Sequence, residues 1–216
     1  MLKKTATALV ALGLLAAPMA TSASAEPASL RPAVAAGAQI DLTDAKVSYF
    51  GYDGKDTFKS PVIDGSDAKA ADPSYWLPKS LVSNATAGKT PTANTPEQPS
   101  AVGFYCTLWV GKTILSGGRL EAGTHQTCTG AFHDQYTVAA FDRSSWTGWR
   151  SMTSSGTGPS SNNQVNDSTF RVGCNTGGGT YDYRLWGNGM AYSSETGKLV
   201  AGDTLYGEKG RYTCGT

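Results

Sequence analysis

The stretch Ala101-Val-Gly-Phe-Tyr-Cys-Thr-Leu-Trp-Val-Gly111 decides how this chain is read. Val102, Phe104, Cys106, Leu108 and Val110 fall on one side of an extended backbone. Gly103, Tyr105, Thr107 and Trp109 fall on the other. Strand side chains alternate between faces, so a period of two over this length predicts a β-strand with one buried face. Weaker strands follow at 126–132, 136–143, 146–152, 169–174, 181–186 and 210–214. In one of them Phe170, Val172 and Cys174 share a face; in another Tyr181, Tyr183 and Leu185 do. Gly117-Gly118, Gly156, Gly158, Gly177-Gly178-Gly179, Gly187 and Gly189 punctuate these runs, and no window carries a helical period. Short strands with frequent turn signals predict an all-β fold over 101–216, a β-sandwich or small barrel. Its length suits one domain.

All four cysteines, Cys106, Cys128, Cys174 and Cys214, lie in this half. Four cysteines allow three pairings. The local pairs Cys106–Cys128 and Cys174–Cys214 are favoured, with Cys106–Cys214, joining first and last strands, as the alternative. Loops of these sizes are worth about 3–4 kcal/mol each in the chain-entropy account.

Upstream the composition changes. Eight of the ten prolines lie in 26–100, a stretch rich in Ala, Thr, Ser, Asp and Lys and without cysteine. Such a segment buries little apolar surface against an ordering cost of about 1–2 kcal/mol per residue. It is therefore expected to be an extended, largely irregular arm. Two apolar islands interrupt it: the β-prone Lys46-Val-Ser-Tyr-Phe-Gly-Tyr52, and a second over 74–82. Three readings are open. The stretch is a spacer with occasional hydrophobics, an N-terminal strand that completes the domain behind it, or a linear motif that pairs with a partner's sheet edge or groove.

Residues 1–25 read as a cleavable signal peptide: Lys3 and Lys4, an uncharged apolar run over 6–20, then Ala23-Ser24-Ala25. The apolar run is short for a membrane span, which takes roughly 20 residues, so export rather than anchoring is expected. Removing Lys3 and Lys4 from 18 basic residues leaves 16 against 17 acidic ones, a formal charge of −1. No basic stripe marks a nucleic-acid partner. Export places the cysteines in an oxidising compartment, where they are read as disulfides.

No HExxH, GxSxG, P-loop or GxGxxG motif is present. His125, Cys128 and His133 have metal-like spacing, but a disulfide role for Cys128 comes first, so no metal or cofactor is expected. Glu121 with His125 or His133 could in principle supply a base and an acid for a small hydrolase. The aromatic signal is richer. Ser144-Ser-Trp-Thr-Gly-Trp-Arg150 concentrates Trp146, Trp149 and Arg150, and a long polar segment follows over 151–168. Trp and Arg anchor interfaces, and Trp faces also stack on sugar rings. One of Trp109, Trp146, Trp149 and Trp186 is expected to fill the core.

The layout of leader, extended segment with the 46–52 island and cysteine-stapled β domain resembles the small adaptor subunits of umbrella toxin particles, antibacterial assemblies secreted by some filamentous bacteria. The resemblance is one of architecture over the whole mature chain. It implies an N-terminal segment that docks into a lectin-bearing subunit and a β domain that grips the toxin subunit's repeat stalk. The expectation is thus a secreted, non-enzymatic adaptor that binds other secreted proteins, through the arm at Val47, Tyr49, Phe50 and Tyr52 and through the β domain at Trp146, Trp149 and Arg150. Carbohydrate or cell-wall binding, a small hydrolase and a protease inhibitor are the alternatives.

Overall fold

The computed structural model of the protein describes residues 33–35, 44–85, 103–153, 155–158, 160–174 and 178–215. The leader expected at 1–25 and, within the arm, residues 26–32, 36–43 and 86–100 lie outside the described residues.

The alternating stretch forms β5 (Phe104–Val110), with Phe104, Cys106, Leu108 and Val110 all fully buried. It lies inside a first antiparallel sheet. In spatial order this sheet runs β1 (Ala33–Ala35), β11 (Val165–Gly173), β7 (Arg119–Gly130), β5, β2 (Lys46–Tyr52) and β3 (Thr57–Lys59). Two short strands attach to it, β4 (Ile63–Asp64) on β2 and β6 (Ile114–Ser116) on β7. A second antiparallel sheet runs β10 (Gly156–Thr157), β8 (Phe132–Ser145), β12 (Thr180–Ser193) and β13 (Leu199–Tyr206). There, β9 (Gly148–Ser151) pairs with β8 and β14 (Gly210–Thr213) with β12. The inward faces enclose one apolar core, with Phe104, Leu108, Leu120 and Phe170 from the first sheet against Phe141, Tyr183, Leu185 and Leu205 from the second. The fold is an all-β sandwich of two antiparallel sheets.

The 46–52 island completes the domain's own sheet. As β2 it pairs with β5 from Lys46↔Val110 to Tyr52↔Phe104. Both of its faces are covered. Phe50 enters the sandwich core, while Val47 and Tyr49 enter a second core on the outward side of the first sheet, with Ile63, Ala70, Leu77 and Leu81. The docking role expected of Val47, Tyr49 and Phe50 is corrected accordingly, because buried side chains cannot meet a partner's strand. Tyr52 is partly buried and donates its hydroxyl to Gly54 O at 2.9 Å. The folded unit therefore includes 44–82 as well as the segment after Ser100. Few apolar residues are needed for this, because strand alternation serves both cores from one strand, Val47 and Tyr49 on one face and Phe50 on the other.

A 3₁₀ turn (Pro73–Tyr75) and a seven-residue helix, α1 (Lys79–Ala85), form part of the second cap. Leu81 of the helix is buried in this second core, and Val82 packs against it. Side-chain hydrogen bonds fix the cap: Tyr49 Oη to Ala70 O at 2.7 Å and Trp76 Nε1 to Lys69 O at 2.8 Å. Burial pushes the Tyr49 phenol up to about 12.

The disulfides are Cys106–Cys128 and Cys174–Cys214. The first links directly opposed residues of β5 and β7. The second ties the residue after β11 in the first sheet to the residue after β14 in the second. Two disulfides fit an oxidising, extracellular environment. No helix among the described residues is long and apolar enough to cross a membrane.

Candidate binding site

The outward faces of the two sheets differ. The first is covered over β2 and β5 by the 53–82 segment. The second is open. Along β12, Tyr183, Leu185, Gly187, Gly189 and Ala191 are buried, while Arg184, Trp186, Asn188, Met190 and Tyr192 are partly exposed. The register adds outward residues from both neighbours: Tyr136, Val138 and Asp142 from β8, and Leu199, Ala201 and Tyr206 from β13. Among the described residues no element lies over this face.

Arg184 organises one end of it. Its guanidinium carbon lies 4.0 Å from the Trp149 ring centroid and 3.9 Å from that of Tyr206. Each such contact contributes about 0.5–2 kcal/mol, depending on desolvation. Arg184 Nη2 also reaches Asp142 Oδ2 at 3.3 Å. Burial pushes the Asp142 carboxyl above its ordinary value, and the Arg184 charge opposes that rise. The arginine is thus held between two rings and a carboxylate rather than left to sample rotamers. Next to it, Asp182 receives Lys209 at 2.9 Å and Arg211 at 3.1 Å, which hold its carboxyl below the ordinary range. At the other end, the rings of Tyr136 and Tyr192 lie 6.4 Å apart, and His133 stacks on Tyr192 at 5.3 Å.

The β8–β9 hairpin projects from the Arg184 end. Its tip is tied by Ser145 Oγ donating to Gly148 O at 2.8 Å and Arg150 Nη2 donating to Thr147 Oγ1 at 3.1 Å. Gly148 turns the chain with φ +115°, a left-handed value that favours glycine. Trp146 at the tip is 96% exposed and Trp149 37%. The expected cluster is therefore split: Trp149 joins the open face, Trp146 stands free, and Arg150 sits directly opposite Arg143 on the other side of the hairpin. The expected strand over 146–152 is shorter, because Trp146 occupies the turn. The polar segment at 151–168 contributes β10, a bridge from Ser161 to Gln135, and the start of β11.

The histidine candidates do not assemble. His125 Nδ1 meets Asp167 Oδ1 at 2.5 Å on the outward face of the first sheet, and Arg171 clamps Glu121 through contacts of 2.8 and 2.9 Å. Four residues apart on one extended strand, Glu121 and His125 are separated by about 13 Å. His133 belongs to the second sheet, where Asp134 Oδ2 lies 3.0 Å from its Nδ1. Glu121 is thus within acid–base reach of neither imidazole. Cys128 is consumed by its disulfide, so it cannot join His125 and His133 around a metal. Among the described residues, no group of three His, Cys, Asp or Glu side chains could hold a metal ion.

No protein-family model matches the chain, and no curated protein matches it.

Trp186, Arg184, Met190, Tyr192, Tyr136 and Tyr206 are the site residues that the sequence reading missed. For Arg184, Trp186, Met190 and Tyr192 the signal was the alternation Arg184-Leu-Trp-Gly-Asn-Gly-Met-Ala-Tyr192, masked by treating Gly187 and Gly189 as turn markers; Tyr136 and Tyr206 join them only through strand register.

Proposed function

We propose that this is a secreted, non-catalytic binding protein that holds an extracellular protein partner on the outward face of its second sheet. The observation that carries this reading is the uncovered row Arg184, Trp186, Asn188, Met190 and Tyr192, flanked by Trp149, Tyr206 and Tyr136. Trp, Tyr, Met and Arg are the types enriched where protein interfaces bury their centres. Arg184 is already ordered between its rings, so it loses less freedom on docking. The tripartite leader pattern and the two disulfides support secretion. The adaptor layout that the chain resembles supports a protein partner in an extracellular, antibacterial assembly. With the 46–52 island committed to its own sheet, contact with further partners falls to other surfaces.

Affinity purification of the tagged, natively secreted protein from culture medium, followed by mass spectrometry, tests this. A stoichiometric protein partner is expected, lost on Trp186→Ser with Met190→Ser while Tm stays within a few degrees. A lone monomer overturns the reading.

Carbohydrate binding is the second reading, favoured by the 96% exposure of Trp146 beside Trp149. Titration against chitin, cellulose and peptidoglycan fragments decides it; unchanged tryptophan fluorescence with all three removes it.

A further inference from the structure

The β8–β9 hairpin carries a concentration of cations that overall charge conceals. Arg143 and Arg150 stand directly opposite each other across the two strands. Like charges in that position destabilise a strand pair. Arg143 rests on the Tyr181 ring at 4.5 Å, and Arg150 is steered by Thr147. Among the described residues no carboxylate forms an ion pair with Arg150, whereas Arg184, Lys209 and Arg211 each have one. Asp142 thus answers Arg184, and the single carboxylate of Asp182 answers both Lys209 and Arg211. The chain as a whole carries +1, so the positive excess is local.

The same hairpin ends in an open edge. All four residues of β9 are exposed, and among the described residues β9 pairs only with β8. Its second row of backbone N–H and C=O groups is thus free to pair with an added strand. Trp146 and Trp149 lie at either side of the β9 start as apolar anchors.

We propose that the free edge of β9 docks an extended acidic segment of a partner protein. Backbone pairing along Gly148–Ser151 supplies register, as in other strand additions. Carboxylates meet Arg150, whose planar fork suits bidentate contact, and Trp149 covers one side chain. An arginine on an exposed edge also discourages nonspecific pairing. That role asks for one charge and does not account for two opposed arginines.

This inference rests on the proposed function and names the partner chemistry at one margin of that face. The test uses the whole protein and a labelled eight-residue peptide of alternating Glu and Val. Controls are the alternating Lys and Val peptide and phosphatidylglycerol vesicles, all read by fluorescence anisotropy or co-sedimentation. The acidic peptide is expected to bind, at least ten-fold more weakly to Arg150→Glu and at raised salt. Arg150→Glu is expected to gain affinity for the Lys peptide. Equal binding of the acidic peptide to Arg150→Glu, no binding at all, or capture of vesicles in place of peptide overturns the proposal. The two readings separate on the co-purified partner. If its capture needs Trp186 and Met190 but not Arg150, this inference fails and the proposed function stands. If capture needs none of them, both fail.

Discussion

The ring of Phe50 lies against the backbone of Gly202: a methyl group placed on Gly202 would come within 2.8 Å of Phe50 Cδ1. Phe50 belongs to the first sheet and Gly202 to β13 of the second. Their contact makes the N-terminal island part of the central core. Phe50→Ala is expected to cost about 3–5 kcal/mol, the range for removing a buried aromatic. Gly202→Val should also destabilise, because the ring and the added side chain compete for one space. Urea unfolding followed by fluorescence measures both. An unchanged midpoint for Phe50→Ala would mean that the island is not built into the core.

A chain starting at Ser100 is expected not to fold. It lacks β2, β3 and β4, so β5 becomes an edge and Tyr105 and Trp109 lose the cap over them. Circular dichroism and limited proteolysis should report an unfolded, rapidly cleaved product. Native-like dispersion in its proton NMR spectrum would contradict this.

The legible and illegible parts of this fold divide along physical lines. Strand β5 could be read because its alternation is local and every inward residue is apolar. The destination of β2 could not, because the pattern Lys46–Tyr52 shows that a strand wants partners without saying whose. Gly187 and Gly189 misled for a related reason. A methyl group on Gly187 would meet Val110 Cγ2 at 2.9 Å, and one on Gly189 would meet Gln126 Oε1 at 2.4 Å. These glycines sit inside a continuous strand and let the sheets approach, and composition alone does not separate that role from a turn. Trp149 was visible in a local cluster. Its partners Arg184 and Tyr206 were not, because strand register brings them together across long sequence separations.

Loss of the disulfides should be unequal. In the chain-entropy account, bridges with separations of 22 and 40 residues are worth about 3 and about 4 kcal/mol. Cys174→Ala with Cys214→Ala also frees the link between sheets, so it should lower Tm more than Cys106→Ala with Cys128→Ala. Differential scanning calorimetry under non-reducing conditions checks the order.

Tyr49 should give the protein a sensitivity to alkaline pH. Its phenol is held near 12 by burial, above the ordinary value of 10. A folded-state value raised in this way means that its full contribution is present below pH 10. The contribution is lost as pH rises towards 12, where the unfolded chain releases the proton first. Tyr49→Phe should flatten that part of the stability profile. It should also cost about 1 kcal/mol at neutral pH, because Ala70 O loses its donor. An identical alkaline profile for both proteins would contradict the assignment.

Arg184 and Asp142 couple the open face to stability. Burial raises the Asp142 carboxyl above its ordinary value even with Arg184 beside it. Removing the cation in Arg184→Met takes away the only opposing influence, so the folded-state value must rise further. The sign follows from linkage. A carboxyl raised in the folded state binds its proton more tightly there than in the unfolded chain, so stability is greatest below the unfolded value and falls as pH rises through the folded one. Arg184→Met should therefore show its smallest deficit at acid pH, where only the ring contacts are lost, and fall further behind towards neutrality. The deficit should reach about 3 kcal/mol, the scale for stranding one partner of a buried pair. Asp142→Asn added to Arg184→Met should remove the pH dependence, since the stranded charge is gone. Urea titrations at several pH values read all three proteins. A deficit for Arg184→Met that is constant with pH would assign the loss to ring stacking with Trp149 and Tyr206 and not to the ion pair.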